Sequence, residues 1–268
     1  MSARSKLIKI NYHSRDSVTI HITGRDTVKF YPGTFVRTYE RKFYVCDGVK
    51  PLLVSGSLDD GKMSMVEQVP YFSEVLPHLN YYILKLFNRD MKNSLLKLTK
   101  SNVTSSYTFE DQGEGIFSSD GVLTESPDGL RLFYIYYYRN QFICLDSNLK
   151  LIYKGKTIDT ISHAQIKVGT INSLHEKTLA SPPIFVNKRS SANNEYLFVH
   201  SALIADNEIK ETMKGINPID IYRIKDGKYI FSIYLADFSN EKLQDFRVCE
   251  HTLIALYDDY LYFEHLNF

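Results

Sequence analysis

Acidic pairs at Asp59-Asp60, Glu110-Asp111 and Asp258-Asp259 are the residues of this sequence best suited to holding a cation. A hard ion such as calcium collects several carboxylate and carbonyl oxygens. Each pair also falls at an expected turn, where an aspartate bonds its own backbone and needs no ligand. Calcium is therefore the alternative to an expectation of no cofactor. His13, His21, His78, His163, His175, His200, His251 and His265 are scattered and never take the spacing of a helical zinc motif. Cys46, Cys144 and Cys249 are odd in number and sit in the apolar contexts FYVC, QFIC and FRVC. They read as buried small hydrophobes, not as a disulfide framework. Gly113-Glu114-Gly115 lacks the third glycine of a dinucleotide loop, and Ser55-Gly56-Ser57 is not a nucleophile elbow. A non-catalytic chain is expected, with a calcium-dependent hydrolase or lyase working in a central channel as the alternative.

These residues must be carried by β-strands. Gly121 to Lys156 holds four β-prone runs: Val122–Glu125, Leu130–Tyr138, Gln141–Asp146 and Leu149–Lys154. Turns at Ser126-Pro127-Asp128-Gly129, Arg139-Asn140 and Ser147-Asn148 separate them. One four-stranded sheet cannot bury both of its faces alone, so neighbours of the same kind are implied, as in the blades of a β-propeller. Further strands are expected at Leu7–Tyr12, Val18–Thr23, Val28–Tyr31, Phe35–Tyr39, Phe43–Cys46, Leu52–Val54, Met63–Val66, Tyr81–Phe87 and Leu95–Leu98. The second half adds Ile184–Val186, Tyr196–Ala202, Ile219–Ile224 and Tyr229–Leu235, then Phe246–Val248, Leu253–Tyr257 and Tyr260–Leu266. Segment 69–80 reads as a loop or short helix. Segment 99–115 reads as a polar connector with one strand near Tyr107–Phe109, and 157–180 as an excursion. Blades of about 40–45 residues predict one all-β propeller over 1–268, six-bladed with five as the alternative. The three-stranded tail would be completed by Leu7–Tyr12, so that the terminal strands share one blade and leave no open edge.

Composition agrees: 20 Tyr and 16 Phe suit pleated, half-buried surfaces, and the absence of Trp argues against Trp-Asp repeats. With 32 basic and 31 acidic side chains the net charge is +1, which gives no reason to expect nucleic acid as a partner. No run approaches the ~20 apolar residues of a membrane helix. A soluble chain without a leader is expected as the sequence stands, the cell envelope being the alternative if a leader has been removed. Oligomeric state does not follow from the sequence.

In a blade, the loop between the second and third strands emerges on the same face as the loop leading to the next blade. Tyr137, Tyr138, Arg139 and Asn140 occupy the first loop, and Asp159 and His163 lie in the second. Large amphipathic rings beside a planar cation are hot-spot chemistry, so these six residues are the expected contact set for a protein, peptide or glycan. The competing reading is that the tyrosines simply cover the faces between blades.

The Ser126-Pro127-Asp128-Gly129 turn followed by LRLFYIY resembles the strand repeat of TolB-like six-bladed propellers. The stretch IDIYRIKDGKYIFSIYLADFSNEKLQDFRVCEHTLIALYDDYLYFEHL is similar to the last blades of six-bladed propellers abundant in Bacteroidota. The resemblance covers about 121–156 and 217–266. It implies a fold more firmly than a function, since members are often envelope lipoproteins.

Overall fold

The computed structural model describes residues 6–23, 31–88, 92–113, 116–171, 176–204, 208–209 and 211–268. The expected strand Val28–Tyr31 falls outside them except for Tyr31, as do Glu114, Gly115 and His175. Every regular element among the described residues is a β-strand, and none is a helix long and apolar enough to cross a membrane. The fold is an all-β propeller assembly of small antiparallel sheets. The chain divides into two compact units, Met1–Thr108 and Phe109–Phe268.

The first unit holds a hairpin and two blades. The hairpin is β1 (Lys6–Ile10) and β2 (Ser17–His21). Blade 1 is β3 (Phe35–Tyr39), β4 (Lys42–Asp47), β5 (Leu52–Ser57) and β6 (Met63–Glu67), in that order. Blade 2 is β7 (Glu74–Pro77), β8 (Tyr82–Phe87), β9 (Asn93–Thr99) and β10 (Asn102–Thr108). The first strands, β3 and β7, lie side by side. Between the two sheets sit Tyr44, Cys46, Leu53, Val75, Leu84 and Leu98.

The second unit repeats the plan three times. Blade 3 is β11 (Gly121–Glu125), β12 (Arg131–Tyr136), β13 (Gln141–Asp146) and β14 (Leu151–Lys156). A separate hairpin follows, β15 (Val168–Ile171) and β16 (Glu176–Leu179). Blade 4 is β17 (Asn187–Ala192), β18 (Tyr196–Ser201), β19 (Ile216–Arg223) and β20 (Tyr229–Ala236). Blade 5 has three strands, β21 (Asp245–Cys249), β22 (Thr252–Leu256) and β23 (Leu261–His265). First strands again neighbour one another, β11 with β17 and β17 with β21. The period of two explains the packing: on β18, Leu197 and Val199 join the core with blade 3, whereas Phe198 between them joins the core with blade 5. A strand buried on both faces reads as a continuous apolar run, which is why β12 and β18 are legible in the sequence.

Several expectations change. Five sheets of three or four strands are present among the described residues, matching the alternative count and not six. β1 pairs with β2, not with the last sheet. The local hairpin needs only a short loop closure, held by Asn11, whose side-chain oxygen accepts the His13 and Ser14 amides. Segment 69–80 contains β7, whose Val75 is fully buried; tertiary packing, not periodicity, makes it a strand. Within the expected 99–115 connector, β10 runs over Asn102–Thr108, longer than the strand expected near Tyr107–Phe109, and is an outer strand exposed along much of its length. The strand expected at Ile184–Val186 begins at Asn187 instead.

The Ser126–Gly129 turn closes as its composition requires. Asp128 accepts the Leu130 amide at 2.9 Å, Ser126 accepts the Arg131 amide at 3.0 Å, and Gly129 takes φ 68°. Two other glycines make room for aromatic rings. A β-carbon on Gly155 would stand 2.2 Å from the Phe142 ring, and one on Gly56 equally close to Phe43. Gly155→Ala should therefore cost about 1–3 kcal/mol by overpacking. Thermal unfolding would then fall by roughly 3–10 °C, and Phe142→Leu should recover part of the loss. A Gly155→Ala protein as stable as wild type would show that the ring gives way freely.

Candidate functional site

The expected contact loops of blade 3 do different things. Chain 137–140, between β12 and β13, turns inward. Arg139 is 1% exposed, with its guanidinium 3.6 Å from the centre of the Tyr136 ring. It donates to the carbonyls of Glu110 at 3.0 Å and Ser118 at 3.4 Å. Tyr138 is buried, and burial, then the nearby Asp120 charge, pushes its phenol above the ordinary range. Tyr137 is half-buried, and its ring and that of Tyr138 both lie against Phe185. The Tyr137 carbonyl accepts the amides of Val186 and Asn187. The Asn187 carboxamide closes the corner by donating to the carbonyls of Tyr136 and Arg139. The expected exposure of the Tyr-Arg-Asn rim is thus corrected: Tyr138, Arg139 and Asn140 are buried, Arg139 and Asn140 donating to backbone carbonyls while the Tyr137 and Tyr138 rings pack against Phe185 before blade 4.

Asn140, also buried, positions the second loop. Its amide donates to the Ile161 carbonyl at 2.7 Å, its carbonyl accepts the Thr157 amide at 3.1 Å, and its carboxamide donates to the Asp159 carbonyl. From blade 4, the Tyr222 hydroxyl accepts the Ile158 amide at 3.0 Å. Asp159 fixes its own turn by accepting the Ile161 amide at 2.6 Å. His163 is exposed, beyond this turn, where Gln112 holds the flanking backbone.

The turn places Asp159 on a pocket of about 130 Å³ shared with the outer strands of blade 4 and the loop after β18. Ile158, Leu203, Ile204 and Pro218 give it apolar walls, and Asp159, Glu208 and Asp220 supply three carboxylates. Ser232 and Tyr234, both on β20, complete the polar side. Asp220 lies in the middle of β19, opposite Ser232, and is only 2% exposed. Ser232 donates to its Oδ1 at 2.6 Å and in turn shares a 2.9 Å contact with the Tyr229 hydroxyl. Burial raises the Asp220 carboxyl above the usual range; the Ser232 and Tyr222 hydroxyls oppose that rise, and the Glu208 and Asp159 charges add to it. Tyr234 is 54% exposed and donates to Glu208 at 2.7 Å, a bond that pushes its phenol up to about 12. Of the six residues expected from the sequence, only Asp159 lines this pocket, with Asn140 holding its loop. Asp220, Glu208 and Tyr234 were not anticipated, although an aspartate interrupting the apolar pair Ile219 and Ile221 is a visible signal.

Nothing in the thiols suggests a nucleophile. Burial pushes Cys46 up to about 12 and Cys144 up to about 11, and raises Cys249. Among the described residues no group of three His, Cys, Asp or Glu side chains is placed to hold a metal ion. His200 is 1% exposed and faces Arg189 across the β17–β18 pair; Asn217 lies near its ring, but among the described residues neither ring nitrogen makes a hydrogen bond of ordinary geometry. Burial first, then the positive charges of Lys188 and Arg189, lowers it to about 3, against a weaker opposing influence of Asn217.

No protein-family model matches the sequence, and no curated protein sequence matches it. Among solved structures, Sqt1 of Saccharomyces cerevisiae superposes with a TM-score of 0.50 at 9% identity, covering 98% of this chain and 66% of that one. Hydrazine synthase of Kuenenia stuttgartiensis gives 0.49 at 13% identity, covering 94% and 67%. Hsv2 of Kluyveromyces lactis gives 0.48 at 11% identity, covering 97% and 67%. The chain spans about two thirds of the length of each of these proteins. At such identity the likeness to Sqt1 speaks to the fold alone.

Two outcomes follow. Arg139→Ala removes a buried side chain that bonds the Glu110 and Ser118 carbonyls and stacks on Tyr136, and should cost about 2–4 kcal/mol, seen as a lower denaturant midpoint. An unchanged midpoint would show that the Arg139 contacts add nothing to stability. His200, neutral when folded, has a lowered affinity for protons, so the unfolded chain gains a proton first as pH falls from its ordinary 6.5 toward about 3. Stability should fall across that window by up to about 1.4 kcal/mol per pH unit. His200→Leu should flatten the slope; an equally steep profile would show that His200 is not its source.

Proposed function

We propose that this chain is a non-catalytic binding module that engages a protein partner through the unit-2 face where the 157–161 turn and the loop after β18 flank the pocket. The single observation that carries the reading is the pocket itself: the turn after blade 3 and the strands of blade 4 build it, and one wall is a buried carboxylate on a rigid strand. Rigid placement of a polar group in a small concave site suits recognition of a protruding side chain. The exposed Tyr234 ring at its rim is the amphipathic kind of surface that interfaces favour. The Ser126–Gly129 turn resembles the strand repeat of TolB-like propellers, although that type has six blades and five are present among the described residues. That resemblance bears on the scaffold, whereas the partner is chosen by the site.

Quantitative co-purification with crosslinking tests the proposal. A protein recovered with the wild-type chain should be lost with Tyr234→Ala and with Ile204→Asp, and retained with Leu130→Ser, an exposed change outside the pocket. All three variants should melt within about 2 °C of wild type, as is usual for surface changes. Equal recovery with every variant would overturn the proposed face. A rise in Tm on adding calcium, absent from the pocket variants, would overturn the non-catalytic reading in favour of a metal-dependent hydrolase or lyase.

A further inference from the structure

The binding-module reading leaves open what enters the pocket, and the following rests on that reading. Asp220 has no ion-pair partner among the described residues, and none of the residues lining the pocket is Lys, Arg or His. Its Oδ1 is satisfied by Ser232, but the nearest donor to its Oδ2 is the Tyr222 hydroxyl at 3.5 Å. That is longer than an ordinary O–H···O bond of about 2.5–3.0 Å. A carboxylate so deeply buried without a countercharge is costly, and the neighbouring Asp159 and Glu208 deepen the negative potential. Such a site favours whatever brings a positive charge to Oδ2.

We infer that the pocket receives the cationic head of a lysine or arginine side chain from the protein partner, with Asp220 as its anchor and Asp159 as the second carboxylate. The chemistry fits on three counts. The volume, about 130 Å³, suits a side-chain head and falls well short of the ~300–1,000 Å³ of drug-sized ligand sites. Ile158, Leu203 and Pro218 offer apolar walls to a methylene stem, while the acids face the charge. A lysine or arginine head can donate directly to the Asp220 Oδ2, where the pocket presents carboxylates and no cation. Ser232, braced by the Tyr229 hydroxyl, keeps the Asp220 carboxylate in place as the ligand arrives.

The test titrates the full chain with three capped tripeptides, Ac-Gly-Lys-Gly-NH2, Ac-Gly-Arg-Gly-NH2 and the uncharged norleucine analogue, read by NMR chemical shifts. One or both cationic peptides should saturate, weaken as salt is raised, and bind at least tenfold less tightly to Asp220→Asn. The norleucine peptide should not bind. Asp220→Asn should also raise Tm by about 2 °C, because it removes an uncompensated buried charge. Asp159→Asn, which keeps the acceptor for the Ile161 amide, is the second variant should the first fail to fold, and it should lower affinity severalfold. Equal binding of the norleucine peptide, or unchanged affinity in the folded variants, would overturn the inference. So would calcium binding that Asp220→Asn abolishes. If Tyr234→Ala abolishes recovery of the partner while Asp220→Asn does not, the binding face stands and the cationic ligand falls.

Discussion

Burial of both faces of a middle blade by its neighbours, as for blade 4 between blades 3 and 5, is the constraint on which the rest of this structure depends. A four-stranded sheet with Leu197, Phe198 and Val199 in succession has no polar side to turn to water, so a partner sheet is needed on each face. The two inter-blade cores of the second unit meet that need, one shared by blades 3 and 4 and one by blades 4 and 5. Gly155, closed over by the Phe142 ring, shows how tightly the sheets are filled.

Rigidity of this kind fixes the loops by their backbone, not by bulk. The corner at 137–140 is tied to blade 4 through Asn187 and to the 157–161 turn through Asn140. Each bond satisfies a carbonyl or amide that burial would otherwise leave unpaired, so the corner cannot loosen one contact without exposing others. Asp159 is held against blade 4 as a consequence. The site is therefore a by-product of structural hydrogen bonding carried one turn outward.

Asp220 stands against this order. Strand β19 is otherwise built to be buried, with Ile219, Ile221 and Tyr222 around it fully enclosed. A carboxylate there works against folding, and its neighbours Glu208 and Asp159 increase the repulsion. Positions where local chemistry opposes stability are where binding or catalysis tends to reside. His200 is a second such position on the same blade, kept neutral by burial and by the positive charges of Lys188 and Arg189.

The sequence by itself determined the strand class, the doubly buried middle strands and the turns. Alternating apolar residues, Asp-Gly and Ser-Pro-Asp-Gly are local signals that survive into the folded chain, as β12, β13, β18 and β19 attest. First and last strands were harder to see. Asn187–Ala192 and Asn102–Thr108 are polar, and they are strands because the backbone of a neighbour pairs with them. Tertiary structure alone decided that Arg139 points inward, since only the fold brings the Glu110 and Ser118 carbonyls to its guanidinium. It alone decided, too, that Asp159, Glu208 and Asp220 share one pocket. Residues 61 positions apart in the chain meet only through the packing of one blade on the next, and no local pattern encodes that distance.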